Sequence, residues 1–252
     1  MNSDIIKTRH IFTTRYGGVS TGPLASLNLG YTRGDKRENV RENFRRLCDY
    51  LGTDENGSVV TCQVHGNVVL PVTSADRHVV FSDVPYEADG IVTAEPGLPI
   101  ICFTADCVPV LLYDAVNRVA GAIHCGWRSS VSDILGNAVS EMKKLGAEEK
   151  NICAALGPAI GKCCFETDDD VPNAVTAYLG GETDGLFVRR PDGKTMVDLR
   201  GANRVRLLQL GLSEEHIDIS DECTFCSHDK YWSHRYTKGI RGTQASAIVI
   251  ED

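Results

Sequence analysis

Five apolar runs rich in β-branched residues constrain the fold of this chain more than any other feature. Such side chains pack well on the pleated surface of a buried strand. Helical segments are interspersed among these runs, without a regular strand–helix–strand rhythm. The sequence predicts strands over Val59–Val72, Leu98–Asp114, Arg118–His124, Asn151–Leu156 and Ala245–Ile250.

The helical segments are recognised by apolar residues that recur every three or four positions. The clearest covers residues 131–145, where Ser130 can cap the first turn and Gly146 can end the helix. Asn39–Leu51 and Asp198–Leu210 show similar amphipathic spacing. Strands and helices in this irregular order favour an α+β fold with mixed sheets.

Composition limits the domain organisation and the classes of partner. The chain has 252 residues, 42% of them hydrophobic, which favours one large domain over 1–252. Its net charge of −8 argues against a nucleic-acid-coating surface, although a local basic pocket could bind phosphate. We find no apolar run of 18 residues and no export signal, so we expect no membrane partner and a cytoplasmic location. In that setting the ten cysteines are expected to be reduced thiols.

Several common cofactor motifs are missing. No G-x-G-x-x-G follows a strand, and the segment 157–163 is one residue too short for a phosphate-binding loop. There is no G-x-S-x-G nucleophile elbow. The seven histidines form no H-x-H pair, which makes oxidation of phenols by several copper ions physically implausible.

Three polar positions interrupt or end the apolar strands. His65 lies in Gln63-Val64-His65-Gly66, Cys107 follows Thr104-Ala105-Asp106, and His124 ends a run of small and apolar residues. A polar group at the end of a buried strand is costly unless it has a partner, which favours a site there. Strand alternation places His124 on the face of Ala120 and Ala122, whereas Cys125 faces the other way and is expected in the core.

Two imidazoles and one thiolate suit zinc, with copper a poorer fit. Three protein ligands leave a fourth position open, as in catalytic zinc sites, and the metal lowers the pKa of a bound water to about 7. From spacing alone the alternative is two hydrogen-bonded histidines and a buried thiol. A metal-free cysteine hydrolase, with Cys107 as nucleophile and His124 as its base, is a further alternative.

The order of the motifs resembles that of one known family over nearly the whole chain. The matching segments are His10-x5-Gly-Gly-Val-Ser, Ser26–Gly30, Glu42–Leu47, Gln63–Gly66, Ala88–Gly90, Thr104–Val110, His124–Arg128, Leu156–Glu166 and Cys223-Thr224-x-Cys226 with Ser233-His234-Arg235. They are similar to the polyphenol-oxidase or laccase-domain family of purine nucleoside phosphorylases. Some bacterial members are described as peptidoglycan editing factors.

The resemblance carries expectations for fold, chemistry and site. It implies a layered α/β/β/α sandwich and one zinc ion per chain held by His65, Cys107 and His124. It also implies phosphorolysis of purine nucleosides together with adenosine deamination, with nucleoside and phosphate as the small-molecule partners. The rival within the family is editing of peptidoglycan precursors. The sequence leaves the oligomeric state open.

The resemblance also suggests residues around the metal. Arg45 matches an arginine of the early helix and could hold phosphate through paired charged hydrogen bonds, although a solvated helix face explains it equally well. Asn28, Glu166 and Arg235 are expected at the substrate pocket, with turn formation the alternative for Asn28 and a surface ion pair that for Glu166. From its place before Cys107 on a predicted strand, Asp106 could orient a histidine ligand, with capping or an internal ion pair as the alternatives.

The pair Cys223-x2-Cys226, with His228 and His234 nearby, could form a second zinc site. No second cysteine pair completes a four-ligand set in the sequence, so we expect a structural or pocket-rim role instead. The acidic run Asp168-Asp169-Asp170 is expected to be a solvated turn rather than a cation site.

Overall fold

The computed structural model describes residues 1–54, 56–77, 81–82, 84 and 86–251. The strands are β1 (Arg9–Phe12), β2 (Val69–Pro71), β3 (Gly90–Thr93), β4 (Ile100–Thr104), β5 (Val108–Asp114), β6 (Val119–Cys125), β7 (Ile152–Leu156), β8 (Glu166–Thr167), β9 (Phe187–Arg189), β10 (Thr195–Val197), β11 (Ile217–Ile219) and β12 (Gln244–Val249). The α-helices are α1 (Arg37–Leu51), α2 (Trp127–Val131), α3 (Ile134–Lys144), α4 (Asp170–Tyr178), α5 (Leu199–Gln209) and α6 (His234–Thr237).

These strands form three sheets. The largest has the order β11-β7-β5-β6-β3-β2, and it is mixed because its two edge pairs are parallel while the inner pairs are antiparallel. A second sheet, β1-β12-β4, is antiparallel throughout. A small third sheet has the order β8-β10-β9.

Three apolar clusters show how the layers stack. Val40, Phe44 and Leu47 of α1 pack on the outer face of the three-stranded sheet. The inner face of that sheet packs on the six-stranded sheet, and the other face of the six-stranded sheet packs on α3 and α5. The predicted α/β/β/α sandwich with mixed sheets is therefore confirmed.

Two of the predicted strands are interrupted at their polar positions. The run Leu98–Asp114 divides into β4 and β5 because Asp106 has a left-handed backbone, with φ of 84°. Within Val59–Val72 only Val69–Pro71 is a strand, and His65 also has a left-handed backbone, with φ of 60°. Both interruptions place a metal-ligand candidate in a loop rather than in a continuous ladder.

The helix predicted over residues 131–145 is divided in the same way. Helix α2 ends at Val131, and α3 begins after Asp133, whose backbone is left-handed and whose carboxylate accepts a hydrogen bond from the amide of Gly136. Asp133, not Ser130, therefore caps the longer helix, while Gly146 follows its end as predicted. The other two predicted helices correspond to α1 and α5.

No helix in the described part of the chain is both long and apolar enough to cross a membrane.

Candidate metal centre and its surroundings

Three elements bring His65, Cys107 and His124 together at one end of the six-stranded sheet. His65 precedes β2, Cys107 lies between β4 and β5, and His124 is near the end of β6. The Cys107 sulfur lies 3.9 Å from Nε2 of His65, and all three ligand atoms lie within 4.8 Å of one another. The imidazole rings are nearly perpendicular, with centroids 4.8 Å apart. The three predicted ligands thus converge, and we call them the triad.

The orientation of His124 follows from strand alternation. Ala120 and Ala122 face the interface between the two large sheets. Cys125 is fully buried on the opposite face, in the cluster formed with Val119 and Ile123 against the helices. The prediction that Cys125 is a core residue is therefore confirmed. His124 lies on the opposite face of the strand, on the side of Ala120 and Ala122.

Asp89 fixes both imidazole positions. Its carboxylate, at 1% exposure, accepts a hydrogen bond from Nδ1 of His124 at 2.7 Å. It also accepts from the backbone amides of Val64, His65 and Gly66 at 3.1, 3.0 and 2.7 Å. One carboxylate therefore holds the loop that presents His65 and sets the tautomer of His124, leaving Nε2 free for a metal. Sequence reasoning missed this role, although a lone Asp beside the buried strand Gly90–Thr93 was a signal for it.

Charge is concentrated in the triad. Loss of hydration raises the pKa of the Cys107 thiol, but the neighbouring His124 and His65 outweigh that effect and lower it to about 6. For His124 burial lowers the pKa, while the Cys107 thiolate and Asp89 raise it to about 9. Burial likewise raises the pKa of Asp89, yet the hydrogen bonds from His124 and the loop amides keep it below its usual range.

The donor set fits a zinc ion. Two imidazole nitrogens and a polarised thiol are the ligands that zinc prefers, and three of them leave one position open. A metal-linked histidine usually donates its other N–H to a carboxylate, as His124 does to Asp89. In the described part of the chain, only this triad and one set of four cysteines bring three or more potential ligands this close together.

Gly126 brings the backbone of the β6–α2 turn against the triad. A Cβ at this position would lie 2.9 Å from the His65 ring and 3.5 Å from the Cys107 sulfur. The same position is 3.7 Å from the hydroxyl of Ser129, a fully buried side chain whose oxygen has no protein partner. Gly126 therefore leaves the room that the ligands occupy.

A half-buried arginine, Arg241, interacts electrostatically with Cys107 and was not predicted. Burial and the nearby Arg33 lower the pKa of Arg241 to about 10, against the opposing charges of Asp106 and Cys107, so its guanidinium remains protonated at neutral pH. Its Nη1 donates to the hydroxyl of Thr243 at 3.1 Å. Its Nε is buried without a protein partner. A protonated, partly unsatisfied guanidinium is suited to an anionic ligand.

Asp106 does not orient a histidine ligand, so that suggestion from the sequence is corrected. Its carboxylate accepts from the hydroxyl of Thr224 at 2.6 Å and from the amide of Arg235, also at 2.6 Å. The left-handed backbone turns its side chain toward the segment before α6, and Asp89 takes the place beside His124. Asp106 instead joins the triad to that segment.

Arg45 and Asn28 are both engaged by other protein groups. Arg45 lies on the exposed face of α1 and pairs with Glu42 at 2.8 Å and Asp49 at 2.5 Å. Asn28 is fully buried; it donates to Asp35 at 2.9 Å and accepts from the amides of Gly30 and Thr243. These contacts match the helix-face and turn alternatives drawn from the sequence.

Glu166 and Arg235 meet at the edge of the small sheet. Arg235 donates to the backbone carbonyl of Glu166 at 3.0 Å, and the Glu166 carboxylate pairs with Arg190 at 2.6 Å. Asp168 and Asp169 of the acidic run pair with Lys194 and Arg189. Asp168 and Asp169 thus form exposed ion pairs and Asp170 begins α4, where the sequence had predicted a solvated turn.

The environment of Cys223 and Cys226 differs from the prediction. The fold supplies the second pair that the sequence lacked: the adjacent Cys163 and Cys164, about 60 residues earlier in the chain, lie with them so that all four sulfurs are within 4.8 Å of one another. Neither His228 nor His234 belongs to this group. The pairing was missed because the two cysteine pairs meet only through tertiary structure.

Comparison with known proteins agrees with this architecture. The family model described as multi-copper polyphenol oxidoreductase laccase matches residues 9–251. The protein named purine nucleoside phosphorylase YlmD of Geobacillus stearothermophilus is 36% identical over 241 residues, covering 94% of this chain and 88% of the relative. A purine nucleoside phosphorylase of Bacteroides thetaiotaomicron is 32% identical over 250 residues, covering 96% and 91%.

Solved structures of two relatives share the fold of this chain. The crystal structure of YlmD from Geobacillus stearothermophilus superposes with a TM-score of 0.92 at 33% identity, covering 99% of this chain and 94% of that one. The hypothetical protein YfiH of Bacillus licheniformis gives 0.91 at 32% identity, covering 96% and 92%. The chain therefore belongs to the laccase-like polyphenol oxidoreductase family, to which relatives named purine nucleoside phosphorylase also belong.

Proposed function

We propose that the chain is a zinc-dependent purine nucleoside enzyme that cleaves nucleosides with phosphate and deaminates adenosine. The observation that carries the proposal is the triad with Asp89: two imidazoles and a thiol converge, and one buried carboxylate orients the first two. Relatives named purine nucleoside phosphorylase, similar over almost their whole length, support the substrate class. The ten cysteines, all free in the structure, accord with a cytoplasmic location.

His65, Cys107 and His124 would hold the zinc ion. When bound, zinc with an open fourth position supplies Lewis acidity and lowers the pKa of a water at neutral pH. Asp89 keeps the proton on Nδ1 of His124 and thereby keeps Nε2 available. Gly126 and Ser129 shape the space beside the ligands. Among the described residues, the second group of potential ligands consists of cysteines only and contains no imidazole, so it does not resemble a histidine-rich site for several copper ions.

Phosphorolysis also needs a cation that positions phosphate for attack on the anomeric carbon of ribose. We propose Arg241 for this role in preference to Arg45. Arg241 is close enough to Cys107 and Asp106 for their charges to affect its pKa, and its Nε lacks a protein partner. Arg45 is instead exposed and held by two carboxylates. Arg235 and Glu166 remain candidates for the pocket rim, and Asn28 for shaping the loop beside Thr243.

Product analysis tests this proposal. Purified protein is incubated with adenosine, with and without phosphate, and inosine, adenine and ribose 1-phosphate are quantified. We expect inosine in both conditions, because deamination consumes only water, and base release only with phosphate. Release of neither ammonia nor base from adenosine, inosine or guanosine would contradict the nucleoside assignment and leave peptidoglycan-precursor editing as the leading alternative.

The KM for phosphate of arginine variants shows whether Arg241 or Arg45 positions phosphate. The loss of a charged hydrogen bond costs about 1.5–3 kcal/mol, so Arg241→Gln should raise the KM for phosphate about 10- to 100-fold. The effect on deamination should be much smaller. Arg45→Gln is measured alongside, with Arg204→Gln, a surface arginine paired with Glu214, as the matched control. A larger phosphate effect for Arg45→Gln would return the role to the arginine suggested by the sequence.

The thiolate–imidazolium character of Cys107 and His124 supports one rival, a metal-free cysteine hydrolase. The two proposals differ in their response to a thiol-directed alkylating agent. Zinc bound to Cys107 should protect that thiol, and chelation should expose it. A protein that is fully active when metal-free and is inactivated by alkylation of Cys107 would favour the hydrolase.

A further inference from the structure

Two cysteine pairs that are far apart in the sequence meet outside the triad. Cys163 and Cys164 follow the turn after β7, and Cys223 and Cys226 lie in the turns between β11 and α6. The sulfur of Cys226 is 3.7 Å from that of Cys163 and 3.4 Å from that of Cys164. All four sulfurs lie within 4.8 Å of one another, and none forms a disulfide. We call this group the cysteine cluster.

These distances match a shared metal ion rather than disulfide bonds. Four sulfurs around a tetrahedral zinc lie ~3.8 Å apart, because each Zn–S bond is ~2.3 Å long. A disulfide requires a sulfur–sulfur distance of ~2.05 Å. The group also contains no carboxylate or imidazole, and an all-sulfur set favours zinc or iron over magnesium, calcium or copper(II).

The backbone around the cluster is already organised. The amide of Gly161 donates to the sulfur of Cys223 at 3.2 Å, and Ala159 and Cys223 form a parallel bridge. Arg200 of α5 donates to the backbone carbonyls of Ser220 and Glu222, which precede the Cys223–Cys226 turn. Apart from the Gly161–Cys223 hydrogen bond, these contacts hold the two cysteine-bearing segments through backbone and arginine groups rather than through sulfur. An amide that donates to a sulfur leaves that sulfur able to bind a metal ion.

We propose that Cys163, Cys164, Cys223 and Cys226 form a second, structural zinc site. With four protein ligands such a site is closed and leaves no position for substrate. The ion would fasten the segment before β8 to the segment before α6. The chain would then bind two zinc ions instead of the one predicted from the sequence.

The proposed site is linked to the triad through Asp106. Thr224, which lies between Cys223 and Cys226, donates its hydroxyl to Asp106 at 2.6 Å. The amide of Ile160, three residues before Cys163, donates to the Asp106 carbonyl at 2.9 Å. Both clamped segments therefore hold the residue that precedes the ligand Cys107. The cluster acts on the first site by positioning, without touching its ligands.

Zinc content measured by mass spectrometry on protein purified under reducing conditions tests the proposal. We expect two zinc ions per chain in the unmodified protein, one in Cys107→Ala and one in the double variant C223S/C226S. The combined triple variant should hold none. Cys62→Ser, which removes an exposed thiol outside both groups, is the matched control and should retain two.

X-ray absorption at the zinc edge makes the assignment independent of activity and of the serine variants. In Cys107→Ala the remaining zinc should show about four sulfur neighbours at ~2.3 Å and no imidazole. Folded Cys107→Ala without zinc would overturn the proposal, as would a disulfide among the four cysteines under reducing conditions. If the serine variants fail to fold, the spectrum of Cys107→Ala still decides. Failure of the nucleoside assay would leave this result unaffected.

Discussion

At the scale of single residues, Asp89 sets the positions of the two histidines of the triad. Its carboxylate receives four hydrogen bonds, one from His124 and three from the loop of His65. The backbone at His65 is left-handed, and the amides of Val64, His65 and Gly66 all point toward the same place. These amides need a hydrogen-bond acceptor, which the Asp89 carboxylate provides. The position of His65 therefore depends on a residue that is 24 positions away.

Replacement of Asp89 should weaken metal binding without removing a ligand. Asp89→Asn keeps the size of the side chain but loses the charge that stabilises the His124 N–H donor. Loss of such an outer partner typically costs 10- to 100-fold in metal affinity, and we expect that range for zinc measured by competition with a chelator. Asp76→Asn, at a half-buried carboxylate that caps a short 3-10 helix away from the triad, serves as the control. Zinc affinity unchanged in Asp89→Asn would show that the carboxylate has only a structural role.

Sequence could identify the candidate metal ligands but not the residues that support them. His65, Cys107 and His124 interrupt or end apolar strands, and that pattern is visible in the chain itself. Asp89, Gly126 and Arg241 act through contacts that only the packed sheets create. For the same reason Asp106 was given a role beside a histidine: its left-handed backbone, which redirects the side chain, has no signature in the sequence.

At the scale of elements, Asp133 joins three helices. It caps α3 through Gly136, accepts the hydroxyl of Tyr178 at the end of α4 at 2.7 Å, and pairs with Arg206 of α5 at 2.8 and 2.9 Å. Burial raises the pKa of Asp133, but the contacts with Arg206 and Tyr178 outweigh it and hold the pKa below its usual range. The helix predicted as continuous is divided at this residue.

The stability contributed by Asp133 should depend on pH. A carboxylate with a lowered pKa in the folded state stabilises the protein above its unfolded pKa of about 3.9, and that stability is lost as the pH falls through the folded value. Asp133→Asn should cost about 1–2 kcal/mol at pH 7, a discounted figure because the side chain is partly exposed. Urea unfolding should show the difference shrinking below about pH 4. An equal loss for Asp184→Asn, an exposed carboxyl, or a pH-independent loss, would contradict this account.

The core strands were predictable because their signal is local. β5 and β7 fall within predicted apolar runs, β6 and β12 overlap theirs to within one residue, and α1 and α5 follow amphipathic spacing. The short strands β8 to β10 were missed because strands of two or three residues carry little periodicity. The segment of residues 59–68 was predicted as strand because it is rich in β-branched residues. Val59 and Val60 are indeed buried, but the segment forms only isolated bridges, and Val64 and Val68 are exposed.

At the scale of the whole molecule, the two large sheets and their helices bring the ligand-bearing turns to one end. β6 contributes His124, the β4–β5 turn contributes Cys107, and the loop before β2 contributes His65. The segment before α6 reaches the same end and connects the cysteine cluster to Asp106. Layered packing thus brings His65 and Cys107, which are 42 positions apart in the chain, into one site with His124.

The central claim is that metal held by the triad is required for nucleoside chemistry. It is tested most directly by adding zinc back to metal-free protein, in the unmodified chain and in Cys107→Ala, while phosphate-dependent release of base from adenosine or inosine is measured. We predict that activity returns in the unmodified protein as zinc is taken up, and that Cys107→Ala stays at least about 100-fold less active at the same zinc occupancy of its other sites. Full activity in metal-free protein, or full recovery in Cys107→Ala, would contradict the account.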